Sequence, residues 1–145
     1  MEPKLVPLTR SNWEAYSKLQ VHENQRYFIP DNLFIIAESR FEKTELLGIE
    51  AAFEPVGLVA LGNWGGLTWL SRIMIDSHYQ RLGLGKAGIQ AVLQHCKRKQ
   101  PGFLEVRTTV SIENSKVIQL FESCGFQRIN EFQDVEVIMV WQNSM

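Results

Sequence analysis

Apolar and polar residues alternate along residues 67–76, and this period of two predicts a β-strand. Its β-branched and aromatic side chains are typical of a strand in the centre of a sheet. One face is expected to carry Leu67, Trp69, Ile73 and Ile75. The apolar spacing becomes helical over residues 84–99, and the basic run 97–99 complements the negative end of that helix dipole. The rest of the chain is expected to pack on this strand and helix.

The same patterns predict the element order β-α-α-β-β-β-α-β-α-β-β. Strands are expected at residues 4–9, 46–53, 56–61, 67–75, 103–110, 126–132 and 135–141. Helices are expected at residues 13–20, 33–41, 84–99 and 117–124, with Asp31 as the cap of the second. Turns are expected at Glu54-Pro55 and at residues 63–66. The last strand is apolar, and as an exposed sheet edge it would favour a homodimer.

Length and composition indicate one domain with a substantial core, since the chain has 145 residues of which 45% are hydrophobic. The formal net charge is −1, which excludes a general electrostatic attraction to nucleic acid or to an anionic membrane. No stretch has the apolar length of a membrane span, and residues 1–10 lack the apolar region of a secretory signal. A cytoplasmic enzyme or binding protein is therefore expected.

The cysteines and histidines do not form a metal-binding pattern. Cys96 and Cys124 lie in apolar helical patterns without CxxC spacing, so both are expected to be buried, reduced thiols. His22, His78 and His95 share no ligand spacing. No metal site is assigned.

A glycine-rich turn separates the central strand from the long helix. Its sequence is Gln80-Arg81-Leu82-Gly83-Leu84-Gly85-Lys86. Glycines at 83 and 85 allow the backbone to turn and a ligand to approach closely, so that several N–H groups at a helix N-terminus converge on one anion. Arg81 and Lys86 add positive charge. The stretch is therefore a candidate phosphate-binding loop.

Three known phosphate-binding loops compete for this sequence, and their spacing separates them. A P-loop requires a glycine five residues before the Gly-Lys pair and a Ser or Thr after it, but those positions hold Gln80 and Ala87. The glycines do satisfy the GxGxxG pattern of dinucleotide-binding proteins. That pattern directly follows its strand and requires an acidic residue at the end of the next strand, whereas a polar loop intervenes here and Glu105 lies mid-strand. A dinucleotide-binding oxidoreductase therefore stays an alternative that the glycines alone support.

The third loop, Gln/Arg-x-x-Gly-x-Gly/Ala, is matched by Gln80, Gly83 and Gly85. Here the sequence resembles the GNAT superfamily of N-acetyltransferases, whose loop of this form binds the pyrophosphate of acetyl-CoA. Residues 113–126 resemble the family's Asn-x-x-Ala-x-x-Leu-Tyr-x-x-x-Gly-Phe motif. The resemblance covers nearly the whole chain. It implies an α+β fold with a mixed, mostly antiparallel central sheet that is flanked by helices and splays beside the central strand to admit the pantetheine arm.

Within this superfamily the sequence is most similar to bacterial spermidine and diamine acetyltransferases, through the run from Arg72 to Lys86 and the pattern Val21-x-x-x-Gln25-x-x-Phe28 followed by Ala37-Glu38. The resemblance implies direct transfer of an acetyl group from acetyl-CoA to a primary amine of a small molecule, with a polyamine as one candidate. A weak or inactive acyl-CoA sensor of the same fold is the alternative. It is favoured by Phe121, which occupies the position of the family's Tyr and cannot donate a proton to the leaving thiolate.

The resemblance also implies where ligands bind. The residues expected at acetyl-CoA are Met74, Ile75, Gln80, Arg81, Leu82, Gly83, Leu84, Gly85, Lys86, Asn114, Lys116 and Phe121. A backbone N–H near Met74 or Ile75 is expected to stabilise the developing oxyanion. The residues expected beside the amine are Glu23, Trp69 and Arg72. Each of these also has a structural explanation, as a solvated charge, a core aromatic and the partner of an acidic neighbour, respectively.

Overall fold

The computed structural model describes residues 2–103, 105–133 and 135–143. Its strands are β1 (Lys4–Pro7), β2 (Glu45–Ala51), β3 (Glu54–Trp64), β4 (Leu67–Ile75), β5 (Glu105–Ser111), β6 (Gln127–Gln133) and β7 (Glu136–Gln142). Its helices are α1 (Trp13–Ser17), α2 (Asn32–Glu42), α3 (Leu84–Lys99) and α4 (Ser115–Ser123). Short 3₁₀ turns occur at Glu23–Gln25 and Ser77–Tyr79. This chain order confirms the predicted one.

The seven described strands form one sheet in the order β1-β2-β3-β4-β5-β7-β6. Strands β4 and β5 pair in parallel, and every other neighbouring pair is antiparallel. A parallel pair needs a long crossover, and here α3 supplies it. The sheet is therefore mixed and mostly antiparallel, as the sequence indicated.

Helices cover both faces of the sheet, so the sheet separates two hydrophobic cores, and β3 contributes residues to both. Val59 and Leu61 belong to the larger core, with buried residues of α3 and α4. Leu58 and Ala60 belong to the smaller core, with Tyr16 of α1 and Ile35 of α2. Because successive strand residues point to opposite faces, β3 is apolar on both sides and lies in the middle of three layers.

A buried polar side chain fastens α1 and α2 to the central strand. Asn32 is 1% exposed, and its Nδ2 donates to the carbonyl of Tyr16 at 2.8 Å and lies 3.5 Å from the sulfur of Met74. The helix itself begins at the predicted cap, since the Asp31 carboxylate accepts from the N–H of Phe34 at 2.9 Å. These contacts fix the start of α2 against β4.

Two predicted turns were misplaced along the chain. The β2–β3 turn is formed by Ala52 and Phe53, both with left-handed φ values of 51° and 65°, and Glu54-Pro55 instead begins β3. A two-residue turn with positive φ at both positions suits the twist of a hairpin, but its usual Asn-Gly signal is absent here. The next turn contains only Gly65 and Gly66, because β3 continues through residue 64.

Strand β4 does not keep the single alternation that its sequence suggested. Ala60 pairs with Arg72 and Leu61 with Leu70, so Ser71 is an extra residue that forms a β-bulge. Leu70 consequently packs in the same core as Ile73 and Ile75. The prediction that Leu67 and Trp69 continue this face was wrong.

The prediction that the last strand forms a sheet edge was also wrong. Strand β7 pairs with β5 on one side and β6 on the other, so β1 and β6 are the edge strands of the described sheet. The argument for a homodimer through this strand therefore fails.

Helix α1 is shorter than expected and ends at Ser17. Among the described helices, none is both long and apolar enough to cross a bilayer.

Candidate active site

The sheet opens between β4 and β5. Their parallel pairing is confined to Thr68 with Val106 and Trp69 with Arg107, although β4 continues to Ile75 and β5 to Ser111. Beyond these pairs the two strands diverge and line a cavity of about 1190 Å³. We call this opening the split. It exposes backbone groups of a central strand that an ordinary sheet would pair.

Side chains replace the missing ladder at both ends of the split. At its closed end, Thr108 Oγ1 donates to the carbonyl of Leu70 at 2.8 Å. At its open end, Gln80 Nε2 donates to the carbonyl of Ile75 at 2.8 Å. These two bonds satisfy the carbonyls of Leu70 and Ile75, which do not pair with β5. A buried carbonyl without such a partner would lose the hydrogen bond that water gives it in the unfolded chain.

The ladder between β3 and β4 determines which N–H groups face the split. The N–H of Asp76 donates to the carbonyl of Val56 at 2.8 Å. Backbone N–H groups point to alternate sides along a strand. The N–H of Met74 therefore also faces β3, whereas those of Ile73 and Ile75 face the split. Of the two expected oxyanion donors, the geometry therefore favours Ile75.

The candidate phosphate-binding loop leads into α3 as expected. Gly83 is the N-cap, with φ +77°, and no side chain caps the helix there. The first intrahelical bond runs from the N–H of Ala87 to the carbonyl of Gly83, so the N–H groups of residues 84–86 have no partner within the helix. Helices α2 and α4 begin instead at side-chain caps, Asp31 and Asn114. The start of α3 thus suits an anion, which would accept its free N–H groups.

The side chains of this loop differ in their exposure to solvent and in whether they line the cavity. Arg81 and Lys86 are exposed and line the cavity, and Lys116 adds a third cation from α4. Leu82 is 55% exposed and Leu84 is 1% exposed. The side chain of Leu84 lies in the core, so only its backbone can contact a ligand.

Two further residues predicted to contact the coenzyme also make contacts within the protein. Asn114 Oδ1 accepts from the N–H of Val117 at 3.4 Å and caps α4. Phe121 is 2% exposed and meets Phe126 edge to face with ring centroids 5.0 Å apart. Both residues also line the cavity. Phe121 therefore forms an apolar wall of the split.

On the side of α2, the cavity contains two carboxylates that the sequence did not predict as site residues. Arg72 donates through Nε and Nη2 to the two carboxylate oxygens of Glu38, at 3.3 and 3.2 Å. Glu42 lies one turn further along α2 and also lines the cavity. The expectation that Arg72 has an acidic partner is met, but the partner is a helix residue 34 positions away. The helical spacing of Glu38 and Glu42 was the available signal.

Of the three residues predicted beside the acceptor, two line the cavity and the third is not among its described lining residues. Trp69 and Arg72 line the cavity, together with Trp64 from the end of β3. Glu23 is exposed and is not among the described lining residues, although its neighbours Asn24 and Gln25 are. We call residues 20–29 the acceptor-side segment, since it borders the cavity between α1 and α2.

Asp76 fastens this segment to the end of β4. It is 6% exposed, and its carboxylate accepts from the N–H of Gln20 at 2.8 Å and from the N–H and Nδ1 of His78 at 3.1 and 2.9 Å. Burial by itself would raise the pKa of this carboxyl, but the hydrogen bonds from Gln20 and His78 outweigh burial and lower the pKa below its ordinary value. Asp76 is thus an ionised anchor at the mouth of the split.

We expect Asp76→Asn to lower the free energy of unfolding at pH 7 by about 2 kcal/mol, since two backbone donors lose a charged acceptor. The folded pKa of Asp76 is depressed, so its contribution is complete above the unfolded pKa and is lost as the pH falls through the folded pKa. The difference between wild type and variant should therefore be constant from pH 7 to about 5 and shrink below about 4. Urea unfolding across this pH range measures it, with the exposed Glu14→Gln as control. A difference that persisted unchanged at pH 3 would contradict this role.

The two thiols are not reactive groups of the site. Both cysteines are free, and burial raises the pKa of Cys96 to about 11. Cys124 is only half-buried, which corrects the expectation that both are buried, and its pKa is also raised by burial. In the described part of the chain, no cluster of three His, Cys, Asp or Glu side chains is arranged to hold a metal ion.

The split between parallel strands leads to an uncapped helix start surrounded by cations, which suits a ligand with phosphate groups. Residues 5–126 match the model of the acetyltransferase (GNAT) family. The chain belongs to this family, and it is an N-acetyltransferase whose acetyl donor is acetyl-CoA. The dinucleotide alternative is disfavoured, since that fold requires a mostly parallel sheet.

Similar proteins have different acceptors. A probable spermine N(1)-acetyltransferase of Bacillus subtilis subsp. natto is 28% identical over 142 residues, which cover 88% of this chain and 89% of the relative. Spermidine N-acetyltransferase from Vibrio cholerae, solved with CoA and spermine, superposes with a TM-score of 0.73 and 21% identity over 97% of this chain and 95% of that one. AAC(6')-Ib, solved with paromomycin and acetyl-CoA, gives a TM-score of 0.79 and 15% identity over 98% and 94%. The shared fold therefore does not by itself name the acceptor.

Proposed function

We propose that the protein transfers the acetyl group of acetyl-CoA to a primary amine of a small polycation, with polyamines such as spermidine as the favoured class. The charge distribution of the cavity carries this proposal. Arg81, Lys86 and Lys116 lie at the candidate phosphate-binding loop and the start of α4, whereas Glu38 and Glu42 lie on the side of α2. Glu113 and Glu136 also line the cavity, beside the end of β5, so the separation of charge is partial. A cationic acceptor is attracted to the acidic side and an anionic coenzyme to the basic side. The polyamine acetyltransferase of B. subtilis subsp. natto named above supports the same class.

The chain's own groups would serve the reaction as follows. Acetyl-CoA would supply a thioester whose carbonyl carbon the neutral amine of the acceptor attacks. The C–S bond then breaks, CoA leaves as a thiolate, and the proton that the amine loses neutralises this thiolate. The N–H of Ile75, which faces the split, donates a hydrogen bond to the oxygen on which negative charge develops. The carbonyl of Ile75 is held by Gln80, so this residue keeps its orientation as charge develops. Fixed geometry of this kind reduces the reorganisation that the reaction requires.

The acceptor needs a second cationic group in this proposal. The half-buried carboxylate of Glu38 is fixed by Arg72 and would bind a distal ammonium, while the reacting amine is free to lose its proton. Glu42 lies one helical turn away and extends the acidic surface along the acceptor. A diamine should therefore be preferred over a monoamine of the same length.

Release of free CoA from acetyl-CoA tests the function. The panel pairs spermidine, spermine and putrescine with butylamine, and includes aminoglycosides, amino acids and N-terminal peptides. We expect release with the polyamines and at least tenfold lower kcat/KM with butylamine. Tight binding of acetyl-CoA by calorimetry without release from any amine would overturn the proposed activity and favour the acyl-CoA sensor. Release with peptides alone would overturn the acceptor class.

The apolar wall at Phe121 leads to a further prediction. Phe121→Tyr places a phenol at the position of the motif's Tyr, and we expect kcat to rise about tenfold if proton delivery to the thiolate limits the reaction. Since the ring is 2% exposed, the added hydroxyl must point into the split to find a hydrogen-bond partner. A fall in Tm with unchanged kcat would mean that the hydroxyl lies in the core, which would contradict the prediction.

A further inference from the structure

Two glutamine side chains bind each other across the mouth of the cavity. Gln25 Nε2 donates to Gln80 Oε1 at 3.1 Å, and Gln80 Nε2 donates to Gln25 Oε1 at 2.8 Å. Gln25 Oε1 also accepts from the N–H of His22 at 3.1 Å, within the 3₁₀ turn of the acceptor-side segment. The two residues are 55 positions apart, and both line the cavity. This amide pair directly connects the acceptor-side segment to the phosphate-binding loop.

The pair lies between the proposed coenzyme side of the cavity and its proposed acceptor side. Gln80 immediately precedes Arg81, whose φ of 67° is unusual for a residue other than glycine, and three residues later the backbone reaches Gly83. On the other side, Gln25 belongs to the segment that presents its neighbours Asn24 and Phe28 to the cavity. A displacement of the loop therefore acts on the acceptor side through these bonds.

We propose that Gln25 is a positioning residue that couples acetyl-CoA binding to the order of the acceptor-side segment through its reciprocal amide bonds with Gln80. The proposal deepens the proposed function and rests on it only in taking the segment as a wall of the acceptor site. An anion that fixes the loop also fixes Gln80, and Gln80 then holds Gln25. By linkage, an acceptor that orders the segment strengthens coenzyme binding by the same factor.

The geometry supports coupling rather than a simple structural contact. Each amide supplies both a donor and an acceptor to the other, so a rotation of either side chain breaks two bonds together. The second bond from Gln80 Nε2 reaches Ile75, the residue whose N–H faces the split. The far end of the acceptor-side segment is anchored separately by Asp76. Loss of the pair should therefore loosen residues 21–28 without releasing the whole segment.

Hydrogen exchange with and without CoA, read by mass spectrometry, tests the proposal without any acceptor. In the wild type, CoA should slow exchange in residues 80–87 and also in residues 21–28. In Gln25→Leu, protection of residues 80–87 should remain, whereas protection of residues 21–28 should be lost. Calorimetry should show a three- to tenfold loss of CoA affinity, which is the range expected for one or two hydrogen bonds.

Further variants separate coupling from damage to the turn. Gln25→Glu keeps an oxygen that can accept from His22 and Gln80, but it replaces the Nε2 donor with a charged oxygen that cannot bond to Gln80 Oε1. One of the two bonds between the side chains is therefore lost, and a partial loss of protection in residues 21–28 is expected. Gln25→Leu and Gln80→Leu should be non-additive, with the double variant no worse in CoA affinity than Gln80→Leu. Phe53→Leu, at an exposed position in the β2–β3 turn that is not among the described residues lining the cavity, is the control and should behave as the wild type.

The outcomes distinguish this proposal from the proposed function. If CoA protects residues 21–28 equally in Gln25→Leu and in the wild type, or if the two leucine substitutions are additive, the coupling is overturned whatever the acceptor is. If Gln25→Leu does not fold, Gln25→Glu decides by the same exchange measurement. A failure of polyamines as acceptors would overturn the function and leave the exchange result intact.

Discussion

Gly83→Ala should lower the affinity for acetyl-CoA by about 30-fold or more, which corresponds to about 2 kcal/mol. Gly83 has φ +77° and precedes the free N–H groups of α3. A Cβ there contacts no protein atom within 4 Å, so the space it would occupy is open to a ligand. Alanine in a left-handed conformation costs about 1–2 kcal/mol, and relief of that strain would turn the N–H groups away from the phosphates. Titration calorimetry with acetyl-CoA measures the loss.

Gly102→Ala is the matched control for this substitution. Gly102 also has a left-handed φ, of +88°, and a Cβ there meets no protein atom within 4 Å. It lies in the turn after α3 and is not among the described residues that line the cavity. Both variants should therefore lose similar stability in thermal unfolding, whereas only Gly83→Ala should lose coenzyme affinity. Equal affinities for the two variants would show that the loop does not bind the phosphates.

Glu38→Gln should raise the KM for a polyamine by about 30-fold and leave the affinity for acetyl-CoA unchanged. The amide keeps an oxygen for Arg72 but loses the negative charge that would attract an ammonium. The guanidinium of Arg72, now without a charged partner, repels the acceptor. Removing one partner from a partly desolvated charge interaction costs about 2 kcal/mol or more. Steady-state kinetics with spermidine, at fixed saturating acetyl-CoA, measures the effect.

The control for this prediction is Glu14→Gln on α1, an exposed carboxylate that pairs with Lys18 at 3.9 Å. It changes the net charge equally, so any effect of overall charge appears in both variants. The Arg72–Glu38 pair is about one-third exposed, and its loss should cost no more than about 1 kcal/mol of stability. An unchanged spermidine KM in Glu38→Gln would place the acceptor elsewhere in the cavity.

The sequence alone predicted much of the architecture because its signals are local. The strand and helix periods follow from which residues face the core, so the element order could be obtained without tertiary information. The phosphate-binding loop could be located because glycines, a flanking strand and a following helix lie within one short stretch. Asp31 could be placed as a helix cap for the same reason.

Other features depended on contacts that no local pattern encodes. The β-bulge at Ser71 changes which side chains share a face, and it depends on how β3 pairs with β4. The turn at Ala52 and Phe53 lacks the usual turn residues, and the rest of the hairpin imposes its conformation. Strand β7 is interior because β6 folds back beside it. An apolar strand is equally consistent with an edge and an interior position until its neighbours are known.

By itself, then, the sequence determined the order of the elements, a loop suited to phosphates and the absence of a Tyr at position 121. Only the tertiary structure brought together the residues that we propose as the acceptor side of the cavity. Glu38 meets Arg72 across 34 positions and Gln25 meets Gln80 across 55, because helix α2 and the acceptor-side segment fold onto the far end of β4. Such pairs leave no periodic signal, since each partner lies in an element whose own pattern records only which face is buried.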